Sequence, residues 1–307
     1  MKYIIRDNQA GFVFKNGVFQ KMITAGTWHF PKIAGYTVVI EEMLDELDYI
    51  EVPYQVLSKD AAFLNATVHA EISDGSVGFI YMNGKLTSFA NRKEYVFWNV
   101  FDKYEVRIVS MAETLIGAEV TKQMLSLVPT HLYTEVAVGE GEVGLVYYDN
   151  VMQNQLSKGV YRFWNYHHAV TYCVIDMKQK EMDIVGQEIL TKDKIGIRMN
   201  VSCMYKIRDA VELVATISDL KGQLYPAVQL VIREIVGNYR LDEILEAKEQ
   251  ISKEIYEALK GKEEMFCVNF LTAGIKDIIL TVEIREIMNS VLVAEKAAQA
   301  NVISRRE

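Results

Sequence analysis

Three groups of residues have types and spacings that invite a chemical reading. Gly139-Glu140-Gly141-Glu142-Val143-Gly144 fits the dinucleotide fingerprint G-x-G-x-x-G. That fingerprint works by setting a pyrophosphate on the N-terminus of a helix that follows it. Here Leu145-Val146-Tyr147-Tyr148 continues as strand, and two glutamates would face the phosphates, so the segment reads as a turn. His167-His168 is the one adjacent pair among five histidines. Neighbours on a strand point to opposite faces and do not readily share a metal, and no second ligand cluster with zinc spacing is visible. A surface or hairpin-end pair is expected. Cys173 and Cys203 lie in apolar, strand-like runs where a buried, inert thiol is the common case, and no G-x-S-x-G is present. The sequence therefore proposes no catalytic residue, no metal and no cofactor.

Composition narrows the class. The chain has 307 residues, 50% hydrophobic and 24% charged, which is ordinary for a folded protein. At roughly 100–200 residues per domain, two domains are expected. With 41 acidic against 33 basic residues the net charge is -8. That argues against duplex nucleic-acid binding, which needs clustered Lys and Arg, and against a purely electrostatic grip on anionic lipid. Cys173, Cys203 and Cys267 are too far apart for a disulfide framework, which fits a reducing compartment. Tyr3-Ile4-Ile5 starts a strand rather than a signal peptide, and no run reaches the roughly 20 apolar residues of a spanning helix. The expected location is cytoplasmic, with peripheral contact at the inner face of a membrane left open.

The elements that must position any site are set by self-similarity. Three segments align without a gap, with Gly11, Gly78 and Gly144 offset by 67 and 66, and Phe30, Phe97 and Phe163 keeping the same offsets. Val52, Leu57, Lys59 and Asp60 recur as Val185, Leu190, Lys192 and Asp193, with Gln123-Met124-Leu125-Ser126 a fainter middle copy. Runs such as Phe12-Val13-Phe14 and Val106-Arg107-Ile108-Val109 are β-forming. Asn16-Gly17, Asn83-Gly84 and Asp149-Asn150 fall at equivalent positions and suit type I′ hairpin turns, which need φ > 0 at both central residues. Trp28 and Phe30, Tyr95 and Phe97, and Tyr161 and Phe163 alternate onto one face, the expected core. Trp98, Trp164 and Tyr166 fall out of that phase and are candidates for a displayed contact face. Acidic runs such as Glu41-Glu42 and Asp45-Glu46 read as solvated.

After about residue 208 the period changes to helical. Val228, Val231, Ile232 and Ile235 form one stripe, before a possible left-handed stop at Gly237-Asn238. Ile251, Ile255, Ala258 and Leu259 form a second, ended by Gly261. Cys267 to Leu280 reads as strand, broken at Ala273-Gly274. A helix capped by Thr281, with Glu283 in its first turn, carries Ile284, Ile287, Met288, Val291 and Leu292. Nothing in the run up to Glu307 signals a helix end, so the expectation is the first turns of a longer, coiled-coil-like helix.

Val185-Gly186-Gln187-Glu188-Ile189-Leu190-Thr191-Lys192-Asp193 resembles the strand-turn segment of the stomatin/prohibitin/flotillin/HflK-C superfamily (SPFH, or band 7), nearest its bacterial slipin branch. Asn200 to Ala210, Gln229 to Gly237, Leu241 to Leu245 and Ala273-Gly274-Ile275 follow in the family's order, so the resemblance spans roughly residues 140 to 307. It implies an α+β domain that assembles into homo-oligomeric rings or cages, usually at a membrane, scaffolding lipid domains and regulating membrane proteases or channels, without catalysis. Family members usually carry a hydrophobic or acylated anchor before the domain. Here two additional β units hold that place, and Met1-Lys2 starts no myristoylation signal.

The expected fold class is therefore α+β. It has a β unit at 1–69, a second at 70–135, the SPFH-type domain at 136–280, whose start is the third β unit, and an amphipathic helix from 281 to 307. The expected function is a non-enzymatic, self-assembling scaffold. Ile284, Ile287, Met288, Val291 and Leu292 would carry assembly, with heptad contacts at Ile284, Val291 and Ala298. Its partners would be other copies and membrane proteins such as proteases, with no nucleic acid. The rival is a recognition module that presents Trp98, Trp164 and Tyr166 to a protein or to the lipid interface.

Overall fold

The computed structural model describes residues 1–47 and 52–304. The chain divides into two compact units: residues 1–136, 147–151 and 160–171 make one, and 137–146, 152–159 and the chain from 172 onward make the other.

The first segment has five strands: β1 (Lys2–Ile5), β2 (Gln9–Lys15), β3 (Val18–Ile23), β4 (Gly26–His29) and β5 (Tyr36–Glu42). Two short helices follow, α1 (Tyr54–Leu57) and α2 (Ala61–Ala66). The second segment has β6 (Thr67–Glu71), β7 (Ser76–Met82), β8 (Lys85–Ala90), β9 (Glu94–Trp98), β10 (Tyr104–Ser110) and then α3 (Lys122–Leu125). The third has β11 (Tyr133–Val138), β12 (Glu142–Tyr148), β13 (Val151–Leu156), β14 (Gly159–Trp164) and β15 (Val170–Asp176). One strand order occurs in all three. The first strand pairs with the fourth, and the second lies between the third and the fifth.

Local chemistry explains that order. The hairpin loops are Asn16-Gly17, Asn83-Gly84 and Asp149-Asn150, and all six residues have φ between 51° and 82°. Asn, Asp and Gly are the residues that tolerate this conformation. The aligned glycines are small for a different reason, since none of them has a positive φ. A Cβ at Gly11 would lie 2.8 Å from Ile23 Cγ1 and 3.0 Å from Ile5 Cδ1, and one at Gly144 would lie 2.8 Å from Val138 Cγ2 and 3.2 Å from Leu156 Cβ. One at Gly78 would run into Ile72 and Ala90. The obstructing residues are themselves equivalent across the segments, so each glycine admits the same crossing of a first-strand side chain over β2, β7 or β12.

The tryptophans correct the sequence reading. Trp98 and Trp164 are not displayed; each is 2% exposed. Trp98 ends β9 yet packs among Ala10, Phe12, Met22, Leu57 and Phe63, with its ring 6.2 Å from Phe12 and 6.4 Å from Phe63. Trp164 ends β14 and packs among Val77, Phe79, Met111, Met124 and Leu125. Each ring thus completes the core of the preceding segment. Strand alternation holds in β9, since Tyr95 and Phe97 face Ile72, Ile80 and Ala90 of their own segment. The opposite face meets a neighbour's core instead of water.

Matching backbone bonds accompany both insertions. Trp98 N donates to Asp45 O at 2.9 Å and Trp164 N to Thr114 O at 2.7 Å; Asn99 N donates to Ala66 O and Asn165 N to Leu132 O, both at 2.8 Å. The Asp45-Glu46 run is consequently more than a solvated face. Tyr104 Oη donates to Asp45 Oδ1 at 2.9 Å, and Arg92 pairs with Glu46. Burial and the bond to Asp45 push the Tyr104 hydroxyl up to about 12.

In the second unit, β16 (Lys180–Leu190) and β17 (Gly196–Ile207) lead to α4 (Ala210–Thr216), α5 (Leu220–Val236), α6 (Leu241–Glu246), α7 (Lys248–Lys260), α8 (Glu263–Phe266), β18 (Val268–Leu280) and α9 (Val282–Ser304). β17 lies between β16 and β18, antiparallel to both. Strand alternation sends Ile197, Met199, Val201, Cys203, Tyr205 and Ile207 to one buried face. Val228, Val231 and Ile232 of α5 and Ile251, Ile255 and Leu259 of α7 share that core, whereas Ala258 is exposed. Asp209 and Asp219 start α4 and α5 by accepting bonds from Val211 N and Gly222 N at 2.8 and 2.9 Å.

Three local expectations are corrected. Gly237 is right-handed at φ -62°, because Asn238 N and Tyr239 N bond back to Ile235 O and Val236 O and tighten the end of α5. β18 runs unbroken through Ala273-Gly274, its register shifting instead near Leu271 and Lys276. Val52 to Asp60 and Val185 to Asp193 match in sequence, but the first contains α1 and the second ends β16. The β17 partner strand determines the extended form of the second.

Trp98→Ala and Trp164→Ala should each lower unfolding free energy by about 3–5 kcal/mol, and Gly78→Ala by about 1–3 kcal/mol through overpacking. Urea titration of the full chain checks this. A change below about 1 kcal/mol for both tryptophan variants would contradict the interlocked cores.

Candidate assembly face

The proposed assembly residues lie on α9, and the structure divides them into two stripes. Ile284 and Met288, one helical turn apart, are half-buried and pack onto the core of the second unit beside Ile278 and Leu280. Ile287, Val291 and Leu292 do not; they are 62%, 52% and 53% exposed. Val282 and Val293 are exposed as well, and Ala294 and Ala298 continue the Ile287–Val291 line at alternating spacings of four and three. A helix docked through one stripe of its surface thus leaves a second stripe facing solvent. The expected continuation through Glu307 falls on residues 305–307, outside the described residues.

The other sequence candidates resolve individually. Tyr166 is 44% exposed, its ring lying over the turn at Gly75 and edge-on to His167. His168 is committed elsewhere. Its Nδ1 lies 2.6 Å from Asp149 Oδ2, while Ala169 N donates to Asp149 Oδ1 at 2.9 Å. These two bonds hold the Asp149 carboxyl below the usual range. Gly139 and Gly141 make a turn in which Glu142 accepts from Gly139 N at 2.7 Å, and strand β12 follows it. Burial pushes the Cys203 thiol up to about 12, so it is no nucleophile at neutral pH. Among the described residues no group of three or more His, Cys, Asp or Glu could hold a metal ion, and no helix is long and apolar enough to cross a membrane.

Sequence reasoning passed over two positions equivalent to Tyr166. Ile33 and Val100 align with it at the repeat offsets, and both are exposed, as is Phe101. The offset was the available signal; exposure at a turn was not legible without the fold.

On the face of the β16–β17–β18 sheet opposite its core, Lys276 Nζ donates to Asp183 Oδ1 at 2.7 Å and Glu181 Oε1 at 3.1 Å, and Ser202 Oγ donates to Glu181 at 2.7 Å. These bonds hold both carboxyls below their ordinary range and raise the Lys276 ammonium. The cluster ties both edge strands across β17.

The SPFH domain / Band 7 family matches residues 136–307, more than half of the chain, which therefore belongs to that family. An uncharacterized protein of Archaeoglobus fulgidus is 25% identical over 130 residues, covering 42% of this chain and 52% of its own. Stomatin-like protein 3 of Mus musculus is 27% identical over 130 residues, 42% of this chain and 45% of its own. Stomatin of the same organism is 28% identical over 130 residues, 42% and 46% respectively. The chain thus spans about half the length of the curated relatives it matches.

Carboxylates held low stabilise the fold fully above the ordinary carboxylate range and lose that contribution as pH falls through their lowered values. Lys276→Met should therefore flatten the acid limb of the stability curve below about pH 5, mainly at low salt. Thermal unfolding across that range checks it, and acid limbs of equal slope would contradict it.

Proposed function

We propose that this chain is a non-enzymatic scaffold that self-assembles side by side through the exposed stripe of α9. The observation that carries the reading is the partition of one helix into a docked pair, Ile284 and Met288, and an exposed set, Ile287, Val291 and Leu292. The docked pair fixes the helix direction, so the exposed set is presented in a defined orientation. Covering each exposed side chain in a neighbour's groove contributes about 1.5–3 kcal/mol, enough to favour multimers once several copies adjoin. Membership of the SPFH/Band 7 family supports a scaffold-type role.

The three β segments are copies of one unit of about 66 residues, with boundaries at 69/70 and 135/136, and the amphipathic helix begins at 281. Assembled copies form a ring or cage that organises membrane regions or regulates membrane-bound partners such as proteases. The equal strand orders and the paired Trp98 and Trp164 insertions support the repeat reading.

The double variant Ile287→Glu with Val291→Glu should run at the mass of one 35.1 kDa chain in light scattering while its unfolding free energy changes by no more than about 0.5 kcal/mol. Ile284→Ala should instead lower stability by about 1–2 kcal/mol, since its side chain is half-buried. A double variant that keeps the multimeric mass would overturn the proposal.

A further inference from the structure

Each junction between successive β segments is made by one short antiparallel bridge. At the first, Trp98 N donates to Asp45 O at 2.9 Å and Leu47 N donates to Val96 O at 2.8 Å. At the second, Trp164 N donates to Thr114 O at 2.7 Å and Ile116 N donates to Arg162 O at 2.8 Å. The residue that donates from the fourth strand also sends its indole into the preceding core. Donor and ring therefore share one position of the segment, and the acceptor lies two residues before it.

The first segment has the same edge with a different residue at that position. β4 pairs with β1 on one side, and among the described residues no strand lies on the other. Phe30 N donates to Met1 O at 3.0 Å, so strand alternation turns the backbone of positions 29 and 31 toward the open side. At offsets of 67 and 66, His29 matches Val96 and Arg162, and Pro31 matches Trp98 and Trp164. His29 keeps the acceptor. Pro31 has neither an N–H to donate nor an indole to insert. Its backbone is extended at φ -66° and ψ 126°, so the strand course is kept while the donor is lost. The chain leaving the third segment is covered in another way, because Lys180 and Met182 pair with Tyr205 and Cys203 of β17.

From this we infer that Pro31 closes the free edge of the β array, so that no further strand, whether of another segment or of a second copy, bridges to β4 in the register that joins the segments. An uncovered strand edge is a template for pairing with another chain, and proline on the edge is one way of blunting it. The effect is strong here because of the bond pattern. Two copies set antiparallel about Phe30 would place the N–H of each residue 31 on the His29 carbonyl of the other, as at Trp98 and Trp164. Proline removes both bonds at once and leaves both carbonyls without a donor. His29 and Pro31 lie outside the stretch that matches the SPFH/Band 7 family, so the closure belongs to the added segments.

The inference rests on the matching strand orders and junction bonds, and it is independent of α9. Sedimentation equilibrium of the full chain carrying Ile287→Glu and Val291→Glu, alone and with Pro31→Ala, Pro31→Trp or Ile33→Trp added, tests it. A cooperative urea transition shows that each variant is folded. The background should stay at 35.1 kDa. Pro31→Ala should raise the weight-average mass toward twice that value as concentration increases, and Pro31→Trp should do so at about tenfold lower concentration. Ile33→Trp adds an indole beside the edge without restoring the donor, and should match the background. An unchanged mass in both Pro31 variants would overturn the inference, as would association of Pro31→Trp that Ile33→Trp reproduces. A background that is already multimeric contradicts assembly through α9 instead, and the increase caused by Pro31→Ala is then read against that larger mass.

Discussion

Apolar surface made by one part of this chain is covered by another part, and the architecture follows from that constraint. Each of the three β segments is small enough that the core it closes by itself is marginal. The first segment is completed by Trp98 from the second, and the second by Trp164 from the third. The insertion also fixes the linkers, because the strand that delivers each tryptophan hydrogen-bonds to the chain leaving the segment it completes, at Asp45 O and Thr114 O. Sequence order and packing order therefore coincide, and the segments act as interlocked neighbours.

The second unit meets the same constraint differently. A three-stranded sheet has two faces, and α5 and α7 cover one with Val228, Ile232, Ile251 and Ile255. The other face keeps polar and charged groups, with Lys276 joining Glu181 and Asp183 across the central strand. Such exposed pairs contribute little in water; their effect is to make that face compatible with solvent. On α9 the constraint is only half met, since Ile284 and Met288 find a core within the unit and Ile287, Val291 and Leu292 do not. That remainder connects the fold to a scaffold role.

Much of this was legible in the residues. A type I′ loop demands positive φ twice, so Asn16-Gly17, Asn83-Gly84 and Asp149-Asn150 declared themselves through chemistry that few residues can satisfy. The aligned glycines were visible as positions, but their cause was not, because the side chains that exclude a Cβ, such as Ile5 and Ile72, come from another strand. Strand periodicity places side chains on faces without saying what lies beyond each face. It therefore put Trp98 and Trp164 on the correct side and assigned that side to solvent. The α9 stripe was likewise legible as a stripe; its division into docked and exposed residues depends on where the sheet ends, which periodicity does not encode. A shared local pattern also proved insufficient, since Val52, Leu57, Lys59 and Asp60 recur as Val185, Leu190, Lys192 and Asp193 while Tyr54–Leu57 is helical and Leu190 ends a strand.

Sedimentation equilibrium of the unaltered 307-residue chain across a concentration series is the most direct test of the central claim. The account predicts a weight-average mass rising to a fixed multiple of 35.1 kDa. A mass of 35.1 kDa at every concentration would mean that the outer stripe of α9 needs no second copy, and the scaffold account would be wrong.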